Sequence, residues 1–251
     1  MNHIFEITNE NQLAHIYEPE PGLFIAESPL VIERALDAGY IAESFLVETE
    51  SKNEKTKEIL KRCPAAEVIE KTKEELKFYR GYEQTRGLIA AMKRKEKVDL
   101  SIPDEYTRVV ILEDVENPTN VGAIFRSAAA LNIDAIYLTK GCADPLYRRA
   151  ARVSMGNVFN IPWAYVDDID EIKNAGFKTA ALALSDNTIS ISDAILKNEK
   201  KLALILGNEG NGLKQETIDK SDYAVKIPMK EGIDSLNVSV AAGIAMWEIR
   251  N

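Results

Sequence analysis

The chain has 251 residues, of which 45% are hydrophobic and 28% are charged, and this composition excludes the collagen-like, disordered and disulfide-scaffold classes. Its net charge of -9 argues against a protein that coats nucleic acid non-specifically, although a local basic patch could still hold RNA phosphates. The chain contains no run of about 18 apolar residues that would predict a membrane-spanning helix, and residues 1–6 lack the features of a secretory signal. Cys63 and Cys142 predict free thiols in a reducing cytoplasm.

The first half of the sequence alternates short apolar runs with helical patterns, which predicts a small α/β unit. Ser28 and Pro29 are placed to begin the first helix, and Gly39 to end it. The other predicted elements are strands at 22–26, 44–47 and 66–69 and helices at 54–62 and 73–78. A charged run at 93–97, interpreted as a solvated face, and then Pro103 predict a boundary between domains at 1–100 and 106–251.

The second half contains continuous apolar runs, which are typical of strands buried on both faces of a parallel sheet. The predicted strands are 109–112, 133–138, 179–184, 202–206 and 225–228, with a helix at about 121–131. We therefore expect a parallel α/β sheet, in which ligands bind beyond the carboxyl ends of the strands. Three segments with a chemical signal each follow such a strand.

The first segment comprises residues 113–126 (EDVENPTNVGAIFR). Asn117-Pro118 favours a turn, and Asn120 can cap the helix that follows. At helical spacing Arg126 lies about 140° from Val121, so it leaves the apolar face of this helix. Spacing alone favours a solvated arginine, and the alternative is an arginine directed at a substrate.

The second segment is a glycine-rich loop at residues 206–213 (LGNEGNGL). Three glycines and two asparagines predict positive φ angles and a close approach of the backbone to a ligand, with a plain tight turn as the alternative. Its spacing fits neither a Walker A loop nor a dinucleotide fingerprint. Because the loop follows a central strand and contains an acid, we favour a ligand.

The third segment, residues 227–239 (IPMKEGIDSLNVS), leads into the last helix, which Asp234 or Ser235 is placed to cap. Apolar residues occupy nearly all sides of that helix. Such a helix must be buried, so we expect it to pack against its own core and against a second copy in a dimer. The alternative is a core helix of a monomer.

Histidine and cysteine give little catalytic signal in this sequence. His3 and His15 lie near the amino terminus, away from the three segments, and no Cys/His cluster predicts a metal site. Cys142 has no histidine near it in sequence and is interpreted as a buried small residue. The groups that remain are arginine, carboxylates, hydroxyls and amides, which indicate a chemistry of positioning.

One basic cluster stands out at residues 145–156 (PLYRRAARVSMG). Arg149 and Arg152 are three residues apart and share a helix face. Together with Arg126 they could form the local patch that an acidic protein needs to hold phosphates. A helix of surface salt bridges is an equally good interpretation.

The three segments together resemble the motifs of the SpoU/TrmH-type RNA 2′-O-ribose methyltransferases, within the trefoil-knotted SPOUT superfamily. Residues 117–126, 206–213 and 227–239 resemble the first, second and third motifs, in order, over roughly residues 107–249. Three ordered motifs, each after a strand, are far more specific than one. Residues 22–95 resemble more loosely the small α/β RNA substrate-binding domain of this family, which makes 106–251 the catalytic domain.

The resemblance implies a deep trefoil knot, a homodimer, and S-adenosyl-L-methionine as the cofactor for methylation of a ribose 2′-hydroxyl in rRNA or tRNA. It implies neither a metal nor a membrane. The implied cofactor-binding residues are Leu184, Leu206, Gly207, Asn208, Gly212, Ile227, Pro228, Ser235 and Leu236.

The resemblance also implies roles for several polar side chains. Arg126 matches the catalytic arginine, either as a base or as a stabiliser of the developing alkoxide. Asn120 would orient Arg126 or an RNA phosphate, and Glu209 would fix the loop or the substrate. Ser235 and Asn237 would bind cofactor or ribose, and Arg149 and Arg152 would steer RNA.

Two other functional classes compete with this interpretation. One is a non-catalytic RNA-binding or ribosome-assembly protein on the same scaffold, and the joint presence of Arg126, the glycine-rich loop and residues 235–237 argues against it. The other is a small-molecule nucleotide-binding α/β enzyme. The sequence contains no phosphate-loop fingerprint, which argues against this class.

Overall fold

The computed structural model describes residues 5, 21–49, 51, 53–76, 87–95, 102–185, 187–232 and 235–250. Predictions for His3, His15, Asp234 and the end of the 73–78 helix lie outside these residues, as does most of the predicted domain boundary. Among the described helices, none combines the length and apolar character needed to cross a bilayer.

In chain order the elements are β1 (Leu23–Glu27), α1 (Pro29–Asp37), β2 (Ile41–Glu48), α2 (Glu54–Arg62), β3 (Glu67–Lys71), α3 (Lys73–Leu76), β4 (Leu88–Lys93), β5 (Arg108–Leu112), α4 (Pro118–Ala130), β6 (Ala135–Leu138), α5 (Arg148–Val153), a 3-10 turn (Asn157–Phe159), β7 (Trp163–Tyr165), α6 (Asp170–Asn174), β8 (Lys178–Leu182), β9 (Ile189–Ser190), α7 (Ala194–Asn198), β10 (Leu202–Leu206), α8 (Gln215–Lys220), β11 (Tyr223–Lys226) and α9 (Val238–Ile249).

The chain divides into two compact units. The first comprises Met1–Lys97 together with Asp144–Asn160, and the second comprises Val98–Ala143 together with Ile161–Asn251. The division near residue 97 lies close to the predicted boundary. The placement of Asp144–Asn160 differs from the sequence prediction. These residues fall in the predicted second domain, but they belong to the first unit.

The first unit is built on a four-stranded mixed sheet in the order β1-β4-β2-β3. Strand β4 was not predicted, yet it pairs antiparallel with both β1 and β2 at the centre of the sheet. Two buried ion pairs tie α5 and the chain just before it to the rest of this unit. Arg148 Nε lies 2.9 Å from a Glu27 carboxylate oxygen, and Arg94 lies 2.5 Å from Asp144. These ion pairs explain why a distant stretch of chain belongs to the first unit.

The second unit contains a seven-stranded sheet in the order β7-β6-β5-β10-β8-β11-β9, and every pairing in it is parallel. Helices flank the sheet, which confirms the predicted parallel α/β architecture. The short strands β7 and β9 lie at the two edges and were not predicted. Helix α9 packs against α4 and β10.

Three predicted helix caps differ from the observed ones. Asn117, rather than Asn120, caps α4 by accepting a hydrogen bond from the backbone of Thr119. Asn237, rather than Ser235, caps α9. Ser28 lies at the start of α1, but its side chain forms no capping hydrogen bond there. In each asparagine case a side-chain amide two or three residues from the predicted position accepts the N–H, because the helix begins at a different residue than the apolar pattern suggests.

Candidate functional site

The first and second segments leave the same edge of the sheet. Strands β5 and β10 are central neighbours, and Leu112 pairs with Leu206 at their carboxyl ends. The backbone N–H of Glu113 continues this pairing by donating to the carbonyl of Leu206 over 2.8 Å. The glycine-rich loop and the chain leading to α4 therefore start side by side, as the carboxyl ends of parallel strands require.

A buried amide joins all three segments. The Nδ2 of Asn120 donates to a carboxylate oxygen of Glu209, and the Nδ2 of Asn237 donates to the Oδ1 of Asn120 over 3.2 Å. Asn120 is only 6% exposed, so its polar groups need these partners. The sequence predicted all three residues as site residues, and the structure brings them into direct contact.

The glycine-rich loop is a tight turn closed by its own backbone. Asn208 and Gly212 exchange two backbone hydrogen bonds, of 3.1 and 2.9 Å. Gly212 has a φ of 69°, which favours glycine. A Cβ on Gly207 would lie 2.4 Å from the carbonyl carbon of Gly212. Gly210 has neither constraint. The predicted positive φ is observed at Gly212 alone, and the close approach at Gly207 is to the backbone of Gly212.

A cavity of about 520 Å³ opens beside this loop. Of the predicted cofactor-binding residues, all but Pro228 line it, and Glu209 lines it as well. The predicted lining residues are Leu184, Leu206, Gly207, Asn208, Gly212, Ile227, Ser235 and Leu236. Pro228 stands between lining residues 227 and 229 without facing the space. A volume of this size suits a nucleoside-sized ligand.

Several lining residues were missed by the sequence analysis, among them Leu182, Lys226, Met229 and Ala241. Lys226 and Met229 adjoin predicted positions and Leu182 lies two residues from one, so the position of the strand ends could have indicated these three. Ala241 lies one turn inside α9, and its exposure to the cavity depends on how that helix packs, which the sequence pattern does not reveal.

Polar groups in the cavity fall into two kinds. The side chain of Asn208 is used inside the loop, because its Oδ1 accepts from the backbone of Gly210 over 2.8 Å and its Nδ2 donates to the carbonyl of Asp114 over 2.8 Å. The hydroxyl of Ser235 forms no hydrogen bond with any residue that the structure describes. Ser235 therefore offers the cavity a donor and an acceptor.

Arg126 lies on the exposed side of α4, as its spacing predicted. Its guanidinium makes no hydrogen bond or ion pair within the part of the chain that the structure describes, and Arg126 does not line the cavity. Arg126 lies six positions after Asn120, which corresponds to about 9 Å along the helix axis. Arg126 is thus free to meet a group that arrives from solvent.

The other predicted RNA-binding arginines belong to the first unit. Arg149 is half-buried and makes no ion pair with a described residue. Arg152 lies 3.7 Å from Glu27, so part of its charge is balanced within the unit. The prediction that these two residues form one patch with Arg126 stays a prediction.

The titration behaviour of Cys142 argues against a thiol nucleophile. Burial raises the pKa of the Cys142 thiol to about 11, and its Sγ donates to the backbone carbonyl of Leu112 over 3.2 Å. Only a thiolate is strongly nucleophilic, so a thiol of this kind stays inert near neutral pH. Within the described residues no group of His, Cys, Asp and Glu side chains could hold a metal ion.

The chain is similar in sequence to proteins of one family. The sequence profile of the SpoU rRNA Methylase family matches residues 107–247, more than half of the chain. An uncharacterized tRNA/rRNA methyltransferase of Mycobacterium bovis is 40% identical over 174 residues, which is 67% of this chain and 60% of that protein. The chain thus matches less than two thirds of that relative's length.

Solved structures share the fold over nearly the whole chain. The crystal structure of an RNA 2′-O ribose methyltransferase superposes with a TM-score of 0.79 at 26% identity, covering 98% of this chain and 92% of that one. A SpoU methyltransferase from Streptomyces viridochromogenes, in complex with the cofactor AdoMet, has a TM-score of 0.80 at 22% identity and covers 97% of both chains. With its ordered motifs joined at one site, the chain belongs to the SpoU rRNA methylase family.

Proposed function

We propose that this chain methylates a ribose 2′-hydroxyl in structured RNA, either rRNA or tRNA, with S-adenosyl-L-methionine as the methyl donor. The observation that carries the proposal is the contact of Asn120 with Glu209 and Asn237, which joins the three motifs beside the cavity. The S. viridochromogenes structure, of the same fold, is in complex with AdoMet, and the 26% identical neighbour is an RNA 2′-O ribose methyltransferase.

The cavity fits a nucleoside-type cofactor. Apolar side chains such as Leu184 and Leu236, which are 64% and 37% exposed, offer cover for an aromatic base. The glycine-rich loop presents backbone instead of side chains, and a Cβ on Gly212 would meet no atom within 4 Å. The hydroxyl of Ser235 supplies a hydrogen-bonding group for a ribose or a carboxylate. When bound, the cofactor supplies a methyl group on a sulfonium that is already a good leaving group.

The protein then has to orient the acceptor hydroxyl and assist the loss of its proton. Asn120 and Asn237 fix Glu209 and the start of α9, so the walls of the cavity are held before substrate arrives. Orientation of this kind can lower the activation barrier by roughly 7–11 kcal/mol. Arg126 would contact the RNA, where it would either stabilise the developing alkoxide or, when paired with an RNA phosphate, accept the hydroxyl proton. Its guanidinium is exposed and has no partner among the described residues, which supports a contact with an incoming polyanion.

A homodimer forms part of the proposal. Helix α9 buries one side against α4, but Val240, Ile244 and Trp247 are 51%, 38% and 54% exposed. These positions are spaced by four and three residues, so they form one apolar stripe. A second copy of the chain would cover this stripe, because contiguous exposed apolar surface is unusual in a monomer.

The proposed activity is tested by transfer of a labelled methyl group to separated rRNA and tRNA, followed by mapping of the modified ribose. Incorporation that resists alkaline cleavage at one nucleotide supports 2′-O-methylation. Label on a base would contradict the ribose assignment. RNA binding without any incorporation would favour the non-catalytic RNA-binding class instead.

A further inference from the structure

Two acidic residues follow β5 and take no part in the mechanism proposed above. Glu113 is 5% exposed, and the Asp114 side chain is 30% exposed. Neither residue lines the cavity. Both, however, form hydrogen bonds to the glycine-rich loop, which lines it, or to residues just after that loop.

Glu113 holds the carboxyl end of the loop. One of its carboxylate oxygens accepts from the backbone N–H of Lys214 over 2.7 Å, and the other accepts from the hydroxyl of Thr217. Lys214 comes directly after Leu213, the last lining residue of the loop. A buried carboxylate with two donors makes strong, directional hydrogen bonds, so it fixes the position of this backbone.

Asp114 holds the amino end of the loop through its backbone. Its carbonyl accepts from Asn208 Nδ2 over 2.8 Å, and Asn208 in turn closes the turn at Gly210. Asp114 has a φ of 53°, a left-handed conformation that costs energy in a residue other than glycine.

The side chain of Asp114 is held in this conformation by three neighbours. Its carboxylate accepts from the hydroxyl of Thr139 over 2.7 Å and lies 2.7 Å from the ammonium of Lys214. A Cβ on Gly141 would lie 2.2 Å from the Oδ1 of Asp114, so only glycine leaves room for the carboxylate. The strained backbone is thus stabilised by surrounding structure, which is common where a conformation serves function.

We propose that Glu113 and Asp114 are positioning residues that clamp the glycine-rich loop at both ends and thereby set the affinity of the cavity for S-adenosyl-L-methionine. The inference rests on the proposed function. The clamp acts through Lys214 and Asn208 and touches no reacting atom, so it affects cofactor affinity more than turnover at saturation.

The test compares Glu113→Ala with Glu113→Gln, which keeps an acceptor for Lys214 and a hydrogen-bonding group for Thr217. We expect Glu113→Ala to weaken calorimetric binding of S-adenosyl-L-methionine about tenfold to a hundredfold, as the loss of two buried hydrogen bonds implies. In Glu113→Ala the KM for the cofactor should rise by the same factor, while kcat changes less than about threefold. In Glu113→Gln the affinity and KM for the cofactor should stay within about threefold of the wild-type values.

The matched control is Thr179→Val, which removes a buried hydroxyl that bonds Asp222 over 2.9 Å at the amino end of β8. This variant loses stability without loosening the loop, so its cofactor affinity should equal that of wild type. Gly141→Ala tests the Asp114 arm and should weaken binding as Glu113→Ala does. An unchanged affinity in both Glu113→Ala and Gly141→Ala, or an equal loss in Thr179→Val, would overturn the clamp.

Hydrogen exchange separates failure of the clamp from failure of the proposed function. In protein without cofactor, Glu113→Ala should exchange the loop amides at 207–214 at least about tenfold faster than Glu113→Gln does. If the loop amides exchange faster in Glu113→Ala but the wild-type protein binds no S-adenosyl-L-methionine, the clamp on the loop is supported and the cofactor assignment is refuted. Equal exchange together with normal cofactor binding by wild type would refute the clamp and leave the function standing.

Discussion

The side-chain amide of Asn120 donates a hydrogen bond to the carboxylate of Glu209, 89 positions further along the chain. Asn120→Asp would place a carboxylate at a buried position, against the exposed carboxylate of Glu209. We expect it to lower the free energy of unfolding by about 1–3 kcal/mol at pH 7, because a donor is replaced by a like charge. Urea unfolding at equilibrium measures this change.

The double variant Asn120→Asp/Glu209→Gln restores a donor opposite an acceptor and should recover most of that loss. Glu209→Gln alone keeps an acceptor for Asn120 and should cost less than about 1 kcal/mol. A double variant no more stable than Asn120→Asp would show that the two side chains are not coupled.

Arg126→Ala tests the catalytic assignment. Arg126 is exposed and unpaired among the described residues, so its removal should leave the melting temperature and cofactor affinity unchanged. Methyl transfer should fall by about 10²–10⁴-fold, the usual range for a proton-transfer group. Single-turnover transfer of a labelled methyl group measures the loss. Lys200→Ala, which also removes an exposed cation from the second unit, serves as the control and should retain full activity. Near-normal turnover of Arg126→Ala would remove Arg126 from the mechanism.

Gly207→Ala should abolish or weaken cofactor binding at least about tenfold, because the added methyl would meet the backbone of Gly212. Gly210→Ala is its matched control in the same loop: a Cβ there lies 3.4 Å from Asn208 Oδ1, and binding should stay within about threefold of wild type. Isothermal calorimetry measures both. Equal affinity of the two variants would show that the closed turn is not needed for the ligand.

The sequence predicted the parallel sheet from local signals, whereas the candidate site residues came from the resemblance of three ordered motifs. Strands such as 202–206 are continuous apolar runs, and each motif comes directly after one. Strands β7 and β9 have three and two residues, too few for a periodic pattern, and were missed. Strand β4 is also a short apolar run, buried except at Lys93, and it was missed because such a run alone does not distinguish a strand from a buried helix segment.

Other features depend on tertiary contacts that no local pattern encodes. The sequence pattern predicted Asn120 as a helix cap, whereas its side-chain amide forms hydrogen bonds with Glu209 and Asn237, in two distant segments. The close approach at Gly207 was expected to serve a ligand, whereas the crowding atoms belong to Gly212. The placement of Asp144–Asn160 in the first unit follows from ion pairs between residues about 50 and 121 positions apart.

Trp247→Glu tests the proposed dimer. Trp247 is 54% exposed on the apolar stripe of α9, and a charge there would oppose burial against a second copy. We expect sedimentation to show a dimer for wild type and a monomer for this variant at micromolar concentration. Val68→Glu changes a residue that is 45% exposed on β3 and should stay dimeric. A monomer mass for wild type that does not change with concentration would contradict the dimer.

The stability of the second unit should depend on pH through Asp222. Burial alone would raise the pKa of Asp222, but hydrogen bonds from Lys178 and Thr179 outweigh it and lower the pKa to about 2. Because the folded-state pKa lies below the unfolded value of about 3.9, the carboxylate stabilises the fold fully above that value. This contribution is lost as the pH falls from about 4 towards 2.

Asp222→Asn removes the titrating group while keeping an acceptor for Thr179. Wild type should be more stable than this variant by about 1–2 kcal/mol at pH 7, and the difference should shrink towards pH 2. Urea unfolding at pH 7, 4 and 2.5 measures the difference. A gap between the two proteins that stays constant over this range would show that Asp222 is not the group whose protonation destabilises the fold.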